Sequence, residues 1–228
     1  MSPTDPVTEL PEWFSPLAER VVSVPVEHFT RFPTPSDGSG RRSAVLILLA
    51  DSGDGPDVLL MERAASLRTH AGQPAFPGGA VDPEDADEVA TALREAHEEV
   101  ALDPASVRVV ASLPQLWIPV TGFLVTPVLA WWRSPHPVRP AEAEVARVER
   151  VAIADLADPA NRLRVRHPSG FAGPAFKVRD LLVWGFTAGV LSALLDLGDW
   201  TRPWDHHRLE ELPPDVVALS YRGLDDGN

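Results

Sequence analysis

Cysteine is absent from the 228 residues of this chain. Its absence excludes disulfide bonds and zinc sites built from thiolates, and it agrees with a cytoplasmic location, which we expect for this chain. The N-terminal residues lack a basic segment followed by an apolar core, so we expect no secretory signal peptide.

Positive charge and long apolar runs are scarce as well. The 20 lysines and arginines face 33 aspartates and glutamates, which gives a formal net charge of −13. This balance argues against general binding to nucleic acids or to anionic membranes. A small anionic substrate is still possible, because a bound metal ion and nearby arginines reverse the field within one cleft. The most hydrophobic window, 181–197, is too short for a comfortable membrane span.

The pattern of apolar residues predicts one mixed α+β domain with terminal extensions. Strands are predicted at 43–50, 57–61, 107–112, 123–132, 144–153, 163–166 and 171–178. Helices are predicted at 10–22, 86–100 and 181–195, with an ordered loop over 63–82. We divide the chain into an N-terminal arm packed on the domain (1–42), the main domain (43–200) and an irregular C-terminal tail (201–228).

The second predicted helix carries Glu95, Glu98 and Glu99 on one face. Like charges four residues apart destabilise an isolated helix by about 0.2–0.5 kcal/mol per pair. Clustered carboxylate oxygens are typical ligands of hard divalent cations. The alternatives are therefore a solvated acidic surface and a metal site. Arg94 precedes Glu98 by four residues and can hold a neighbouring carboxylate, while Asp85 is expected to cap the helix.

The loop before this helix favours the metal site. Gly79, Asp85 and the sequence Arg94-Glu95-Ala96-His97-Glu98-Glu99 resemble the signature of the Nudix family, hydrolases that cleave nucleoside diphosphates linked to another group. Asp85 stands where the family has glutamate, one extra residue separates it from Arg94, and Ala101 replaces the family glycine. The resemblance implies an α/β/α sandwich with a mixed central sheet and a Mg²⁺ or Mn²⁺ cofactor.

Residues 59–82 resemble, more narrowly, the additional motif of the coenzyme A pyrophosphatase subfamily. The positions at matching spacing are Leu59, Leu60, Arg63, Arg68, Gly72 and Phe76-Pro-Gly-Gly79. Met61 stands where threonine is usual and Ala64 where serine is usual, so two hydroxyl groups are missing. The resemblance implies hydrolysis of coenzyme A or acyl-coenzyme A to 3′,5′-ADP and 4′-(acyl)phosphopantetheine.

The same resemblances imply roles for individual residues. The implied metal ligands are Glu95, Glu98, Glu99 and a backbone carbonyl near Gly79. Glu98 and Glu144 are the two candidates for the general base, and Arg94 is expected to orient the glutamates. The expected substrate contacts are Arg63, Arg68, His70, Phe76 and Gly78. Guanidinium groups suit this task because their paired N–H groups match phosphate oxygens.

Other functions stay open from the sequence. The same fold acting on ADP-ribose or a dinucleotide is favoured if the missing hydroxyls at Met61 and Ala64 matter. A domain that binds a ligand or a partner without hydrolysis is the third alternative, although a sensor has no need of three mutually repelling glutamates. A homodimer formed through the terminal segments is also open.

Overall fold

The computed structural model describes residues 10–51, 53–67 and 71–221 of the chain. Within these residues, the strands form two sheets. The larger, mixed sheet contains β1 (Arg41–Asp51), β2 (Pro56–Arg63), β3 (Pro74–Ala75), β4 (Gly78–Ala80), β5 (Val107–Ser112), β6 (Leu116–Ile118), β7 (Phe123–Trp132) and β8 (Val145–Ala152). The smaller sheet contains β9 (Arg162–Arg166), β10 (Ala172–Val178), β11 (Leu181–Val183) and β12 (Leu209–Glu211).

The α-helices of the described residues flank these sheets. They are α1 (Ser15–Val21), α2 (Glu88–Val100), α3 (Ile153–Ala157), α4 (Gly185–Leu197) and α5 (Pro214–Tyr221). Short 3₁₀ turns lie at Glu12–Phe14, Val26–His28, Pro104–Ser106 and Pro159–Asn161. Among the helices in this part of the chain, none has the length and apolarity needed to cross a lipid bilayer.

Strand β1 lies at the centre of the larger sheet, parallel to β7 and antiparallel to β2. Successive side chains of a strand point to opposite faces of the sheet. Ala44, Leu46 and Leu48 therefore pack in one core with α2, whereas Ile47 and Leu49 pack in a second core with α1 and α4. Helices on both faces of a mixed sheet form the predicted α/β/α sandwich.

Helix α2 begins after Asp87, whose carboxylate accepts a hydrogen bond from the backbone N of Ala90 at 2.8 Å. The predicted cap at Asp85 is wrong, because the chain first turns at 82–85 and the carboxylate of Asp85 bonds to a side chain of the helix. The helix ends at Ala101, whose φ of 56° is left-handed. Backbone N–H groups of the loop before β8 donate to its last carbonyls, which fixes that loop beside the helix.

Several predicted elements have the observed bounds, and others need correction. Strands β5 and β7 match the prediction to the residue. The apolar run predicted as one helix from 181 begins instead as strand β11, and α4 starts at Gly185, whose φ of 63° suits glycine. The C-terminal tail is not irregular throughout, since it contains β12 and α5. The arm contributes α1, which lies in the core beside α4.

One end of the larger sheet gathers the segments that carry the site. Strand β4 pairs with the beginning of β1, with Gly79 opposite Ala44. The loop after β2 is closed by backbone hydrogen bonds between Arg63 and Gln73 (3.1 Å) and between Gly72 and Arg63 (2.9 Å). The start of β8 pairs with the end of β2. Helix α2 packs against β4 and β8, so its acidic face meets all three segments.

Candidate active site

The three glutamates of α2 differ in their exposure to solvent. The side chain of Glu99 is 3% exposed, and that of Glu98 is 55% exposed. Glu95 lies between these extremes. The acidic face is therefore not a uniformly solvated surface. The exposure of its side chains falls from Glu98 through Glu95 to Glu99, so the face runs from solvent into the interior of the sandwich. A cation bound beneath a substrate would lie in such a place.

Glu99 is a buried carboxylate with two neighbouring donors. Its Oε2 accepts a hydrogen bond from the backbone N of Gly78 at 2.8 Å, and its Oε1 lies 3.5 Å from Nη1 of Arg63. Burial, together with the charges of Glu95 and Glu144, nevertheless raises the pKa of Glu99 to about 7. Ionised Glu99 thus lacks full compensation from the protein, and a divalent cation would supply it.

Glu95 packs against the backbone of β4 at Gly79. A Cβ atom at position 79 would lie within 2.6 Å of Oε2 of Glu95, so a larger residue would displace the carboxylate. Burial raises the pKa of Glu95 above its ordinary value, and the charges of Glu98 and Glu144 act in the same direction. Close approach of the carboxylate therefore favours glycine at position 79, which agrees with its place in the motif.

Arg94 holds the acidic face in place. Its Nε and Nη2 each bond to the carboxylate of Asp85 at 2.9 Å, and Nη2 also donates to the carbonyl of Ala80 at 3.2 Å. Its Nη1 donates to Glu95 at 3.0 Å and to Glu98 at 3.2 Å. These contacts are consistent with the predicted orienting role. The hydrogen bonds from Arg94 hold the pKa of Asp85 well below its usual range.

Glu144 reaches the site from the loop between β7 and β8. Its backbone carbonyl accepts a hydrogen bond from the N of Ala64 at 2.8 Å, next to the end of β2. Its negative charge raises the pKa of both Glu95 and Glu99, which places it within electrostatic range of both carboxylates. The side chain of Glu144 is exposed to solvent. The fold therefore joins this distant glutamate to the three on α2.

The oxygen-rich donor set fits a hard divalent cation. In the residues that the structure describes, no three acidic or histidine side chains lie close enough together to hold a metal ion in this conformation. In this conformation Nη1 of Arg94 bonds to both Glu95 and Glu98. Because Glu98 is exposed, its side chain can rotate toward Glu95 and the buried, incompletely compensated Glu99 without disturbing the core.

The predicted substrate contacts divide into three groups. Arg63 lies at the site, beside Glu99. Gly78 also lies there, but its N–H is bonded to Glu99, so it positions a carboxylate. Phe76 is 2% exposed within the core under β1, and this burial contradicts the predicted contact: its surface packs against protein and is not available to a substrate. Arg68 and His70 lie outside the described residues.

Two contacts were not predicted from the sequence: the bonds between Asp85 and Arg94, and the hydrogen bond by which the buried Thr91 holds Asp85. The hydroxyl of Thr91 donates to Oδ2 of Asp85 at 2.8 Å, and Thr91 itself is buried. The backbone N of Asp82 donates to the same oxygen at 2.9 Å. The available signal was the position of Thr91, three residues before Arg94 and hence on the same side of α2.

A mixed sheet between helices, with a row of glutamates beside a glycine strand, is an arrangement typical of hydrolases that act with a divalent cation. The family model of the NUDIX domain matches residues 40–169. The chain is 43% identical over 167 residues to the uncharacterized Nudix hydrolase NudL of Cronobacter sakazakii, an alignment that covers 70% of this chain and 84% of that protein. It is 42% identical over 161 residues to the uncharacterized Nudix hydrolase NudL of Escherichia coli K12, covering 68% and 81%.

Among solved structures, the Nudix hydrolase RenU of M. smegmatis superposes with a TM-score of 0.52 at 22% identity, covering 73% of this chain and 90% of that one. This likeness supports the fold. The chain belongs to the Nudix family. It is accordingly a pyrophosphohydrolase, and enzymes of this family generally use divalent metal ions and act on small nucleotide-derived substrates.

Proposed function

We propose that this enzyme hydrolyses the diphosphate linkage of coenzyme A, acyl-coenzyme A or both. The products are 3′,5′-ADP and 4′-phosphopantetheine or its acyl derivative, and the cofactor is Mg²⁺ or Mn²⁺. The cytoplasmic location expected from the sequence stays a prediction, and a homodimer stays an open alternative.

The observation that carries the proposal is the position of the subfamily motif beside the glutamates. The loop after β2, which follows Arg63, is closed on itself by backbone hydrogen bonds at Gly72 and Gln73. Arg63, the last residue of β2 before this loop, has its Nη1 3.5 Å from Oε1 of Glu99, so a ligand held at this end of the loop would lie beside the carboxylates. Leu219 of α5 packs near Gly72, where an added Cβ would lie 3.3 Å from its Cδ1. The C-terminal helix thus supports the loop from outside.

The two missing hydroxyl groups do not weigh against coenzyme A. Met61 is 1% exposed and Ala64 is 6% exposed, so neither side chain has surface to offer a substrate. Met61 packs in the core beneath α2, where a larger apolar side chain replaces threonine. The substitutions are therefore changes of packing. This burial supports coenzyme A as the substrate over ADP-ribose or a dinucleotide.

Different side chains of the site would bind the metal ion, accept a proton and contact the phosphate. A divalent ion, when bound, neutralises the diphosphate and lowers the pKa of a bound water molecule. Glu95, Glu98 and Glu99 would hold it once Glu98 leaves its hydrogen bond with Arg94, while Arg94 still bonds to Glu95. The exposed carboxylates of Glu98 and Glu144 are the two candidates for accepting the proton of the attacking water. Arg63 supplies a guanidinium for a phosphate oxygen.

The test is turnover by the purified full chain. With Mg²⁺ or Mn²⁺ present, coenzyme A, acetyl-coenzyme A, ADP-ribose and NADH are supplied in parallel and the products are separated by chromatography. We expect 3′,5′-ADP from the first two substrates. Turnover of ADP-ribose without turnover of coenzyme A would contradict the proposal, and tight binding without any turnover would indicate a ligand-sensing domain.

A pair of variants on the same helix makes the assay specific. Glu99→Gln should abolish turnover because it removes the buried ligand charge. Glu88→Gln is the matched control, since Glu88 lies in the first turn of α2 and pairs with Arg42 outside the carboxylate cluster. Normal turnover by the Glu99 variant would show that the metal assignment is wrong.

A further inference from the structure

Arg63 is a cation that faces a buried carboxylate but is only partly engaged. Its Nη1 lies 3.5 Å from Oε1 of Glu99, longer than the 2.7–2.9 Å or so of a charge-assisted hydrogen bond. Its Nε is buried and has no hydrogen-bond partner among the described residues. The side chain is 22% exposed, so solvent reaches part of the guanidinium. Donor capacity is therefore left over at the edge of the site.

The backbone of Arg63, in contrast, is fixed. Its N–H donates to Gln73 and its carbonyl accepts from Gly72, which closes the loop after β2. The pairing of β2 with β8 slips by one residue between Glu62 and Arg63, so that Arg63 lies opposite Val145, next to Glu144. Such irregularities redirect side chains and are common beside active sites. The hydrogen-bonded backbone of Arg63 thus directs its side chain toward the glutamate cluster.

The two arginines at the cluster differ in how firmly they are held. Arg94 bonds to Asp85 twice, to Glu95, to Glu98 and to a backbone carbonyl. Among the described residues, the side chain of Arg63 has one long contact, with one carboxylate oxygen. Of these two arginines, Arg63 is therefore the one that can leave its carboxylate at small cost. A cation in its position also opposes a divalent ion that would share Glu99, because like charges a few ångströms apart repel.

We propose that Arg63 is an exchangeable counter-ion, which pairs with Glu99 in the absence of metal and turns to a diphosphate oxygen when metal and substrate bind. A divalent ion bound to Glu99 would displace Arg63 from that carboxylate and leave its guanidinium available to the diphosphate. The metal ion and the substrate would therefore each strengthen the binding of the other. The inference rests on the proposed metal-dependent function. It does not depend on coenzyme A, because any substrate with a diphosphate supplies the same oxygens.

The experiment measures Mn²⁺ binding to the full chain at pH 8, from the electron paramagnetic resonance signal of free Mn²⁺. Titrations are run alone and with methylenediphosphonate, a diphosphate analogue that is not hydrolysed. Arg63→Gln should bind Mn²⁺ alone about tenfold more tightly than the unmodified protein, because one nearby positive charge is removed. Methylenediphosphonate should tighten Mn²⁺ binding about tenfold less in this variant than in the unmodified protein.

Arg147→Gln is the matched control. Arg147 lies on β8, and its ion pairs among the described residues are with Glu62 at 2.7 Å and Glu149 at 3.6 Å, not with a glutamate of α2. Its variant should bind Mn²⁺ as the unmodified protein does, with and without the diphosphonate. Arg63→Lys keeps the charge without the guanidinium fork, so it should keep the Mn²⁺ affinity and lose part of the coupling.

The outcomes distinguish failure of the Arg63 exchange from failure of the proposed metal-dependent function. If the Arg63→Gln variant matches the unmodified protein in both titrations, the exchange is refuted while the proposed function stands. If the unmodified protein itself binds no Mn²⁺, both fail. If circular dichroism shows that Arg63→Gln does not fold, the Lys variant decides, and full coupling in it would contradict the inference.

Discussion

The substitution Glu99→Gln should stabilise the metal-free protein above neutral pH while it abolishes hydrolysis. Burial raises the pKa of Glu99 from an ordinary 4.5 to about 7. The protein therefore carries a carboxylate whose ionised form the fold itself disfavours. Such a cost is expected where a group serves a ligand and not the fold.

The sign follows from proton binding in the two states. Between pH 4.5 and about 7, native Glu99 keeps its proton and the unfolded chain loses it, so the free energy of unfolding falls as the pH rises. Each unit of pKa difference corresponds to about 1.4 kcal/mol, and the whole effect is of the order of 3 kcal/mol. The loss is complete above about pH 7 and absent below about pH 4.5.

Glutamine has the shape of glutamate without its charge, and its side-chain oxygen can still accept from Gly78. Urea unfolding with EDTA present, from pH 5 to pH 8, measures the difference. The two proteins should differ least at pH 5 and diverge by roughly 3 kcal/mol at pH 8. With Mn²⁺ at about 100 times its Kd the unmodified protein should gain about 2.7 kcal/mol, which the variant lacks. Equal or lower stability of the metal-free variant at pH 8 would refute the buried-charge reasoning.

Three further substitutions test other parts of the site. Gly79→Ala should lower kcat by about 100-fold, because its Cβ displaces Glu95. Gly189→Ala, in α4 where an added Cβ meets nothing within 4 Å, is its control in the same turnover assay. Asp85→Asn should lower Mn²⁺ affinity or kcat by about 10–100-fold, because it weakens the ion pair that holds Arg94. If both values are unchanged, Arg94 does not need this ion pair. Ala101→Gly should raise the free energy of unfolding, measured in urea, by about 0.5–1 kcal/mol. Relief of the left-handed conformation is worth about 1–2 kcal/mol, of which the more flexible unfolded chain cancels about 0.4–1 kcal/mol. No gain would contradict the strain inferred from the φ of 56°.

The elements that the sequence predicts well are those with a strong local pattern. Strand β7 is almost continuously apolar, and α2 repeats its small apolar residues at helical spacing, so each could be recognised without its neighbours. The glutamate cluster follows from the same spacing. Two- and three-residue strands such as β3 and β4 exist only because β2 and β1 pair with them. No local pattern of that length distinguishes a strand from an ordered loop.

The apolar run that starts at Leu181 shows a different limit. Both a buried helix and a buried strand read as unbroken apolar sequence, so the pattern alone does not locate the change from β11 to α4. The backbone changes at Gly185, and β11 is fixed by pairing with β10. The burial of Phe76 was missed for a related reason: the motif marks its position, but only the packing under β1 shows that its role is structural.

The departures from the family signature between Asp85 and Arg94 are best understood together. Aspartate is one methylene shorter than the usual glutamate, and the chain has one residue more before the arginine. The extra residue lets the chain turn at 82–85 before α2 begins, and Asp85 then meets Arg94 through two bonds of 2.9 Å. A shorter side chain needs a closer backbone, and we interpret the two changes as a pair for that reason. The shorter side chain and the extra residue thus compensate for each other. Together they keep Asp85 bonded to Arg94, the arginine that orders the glutamates.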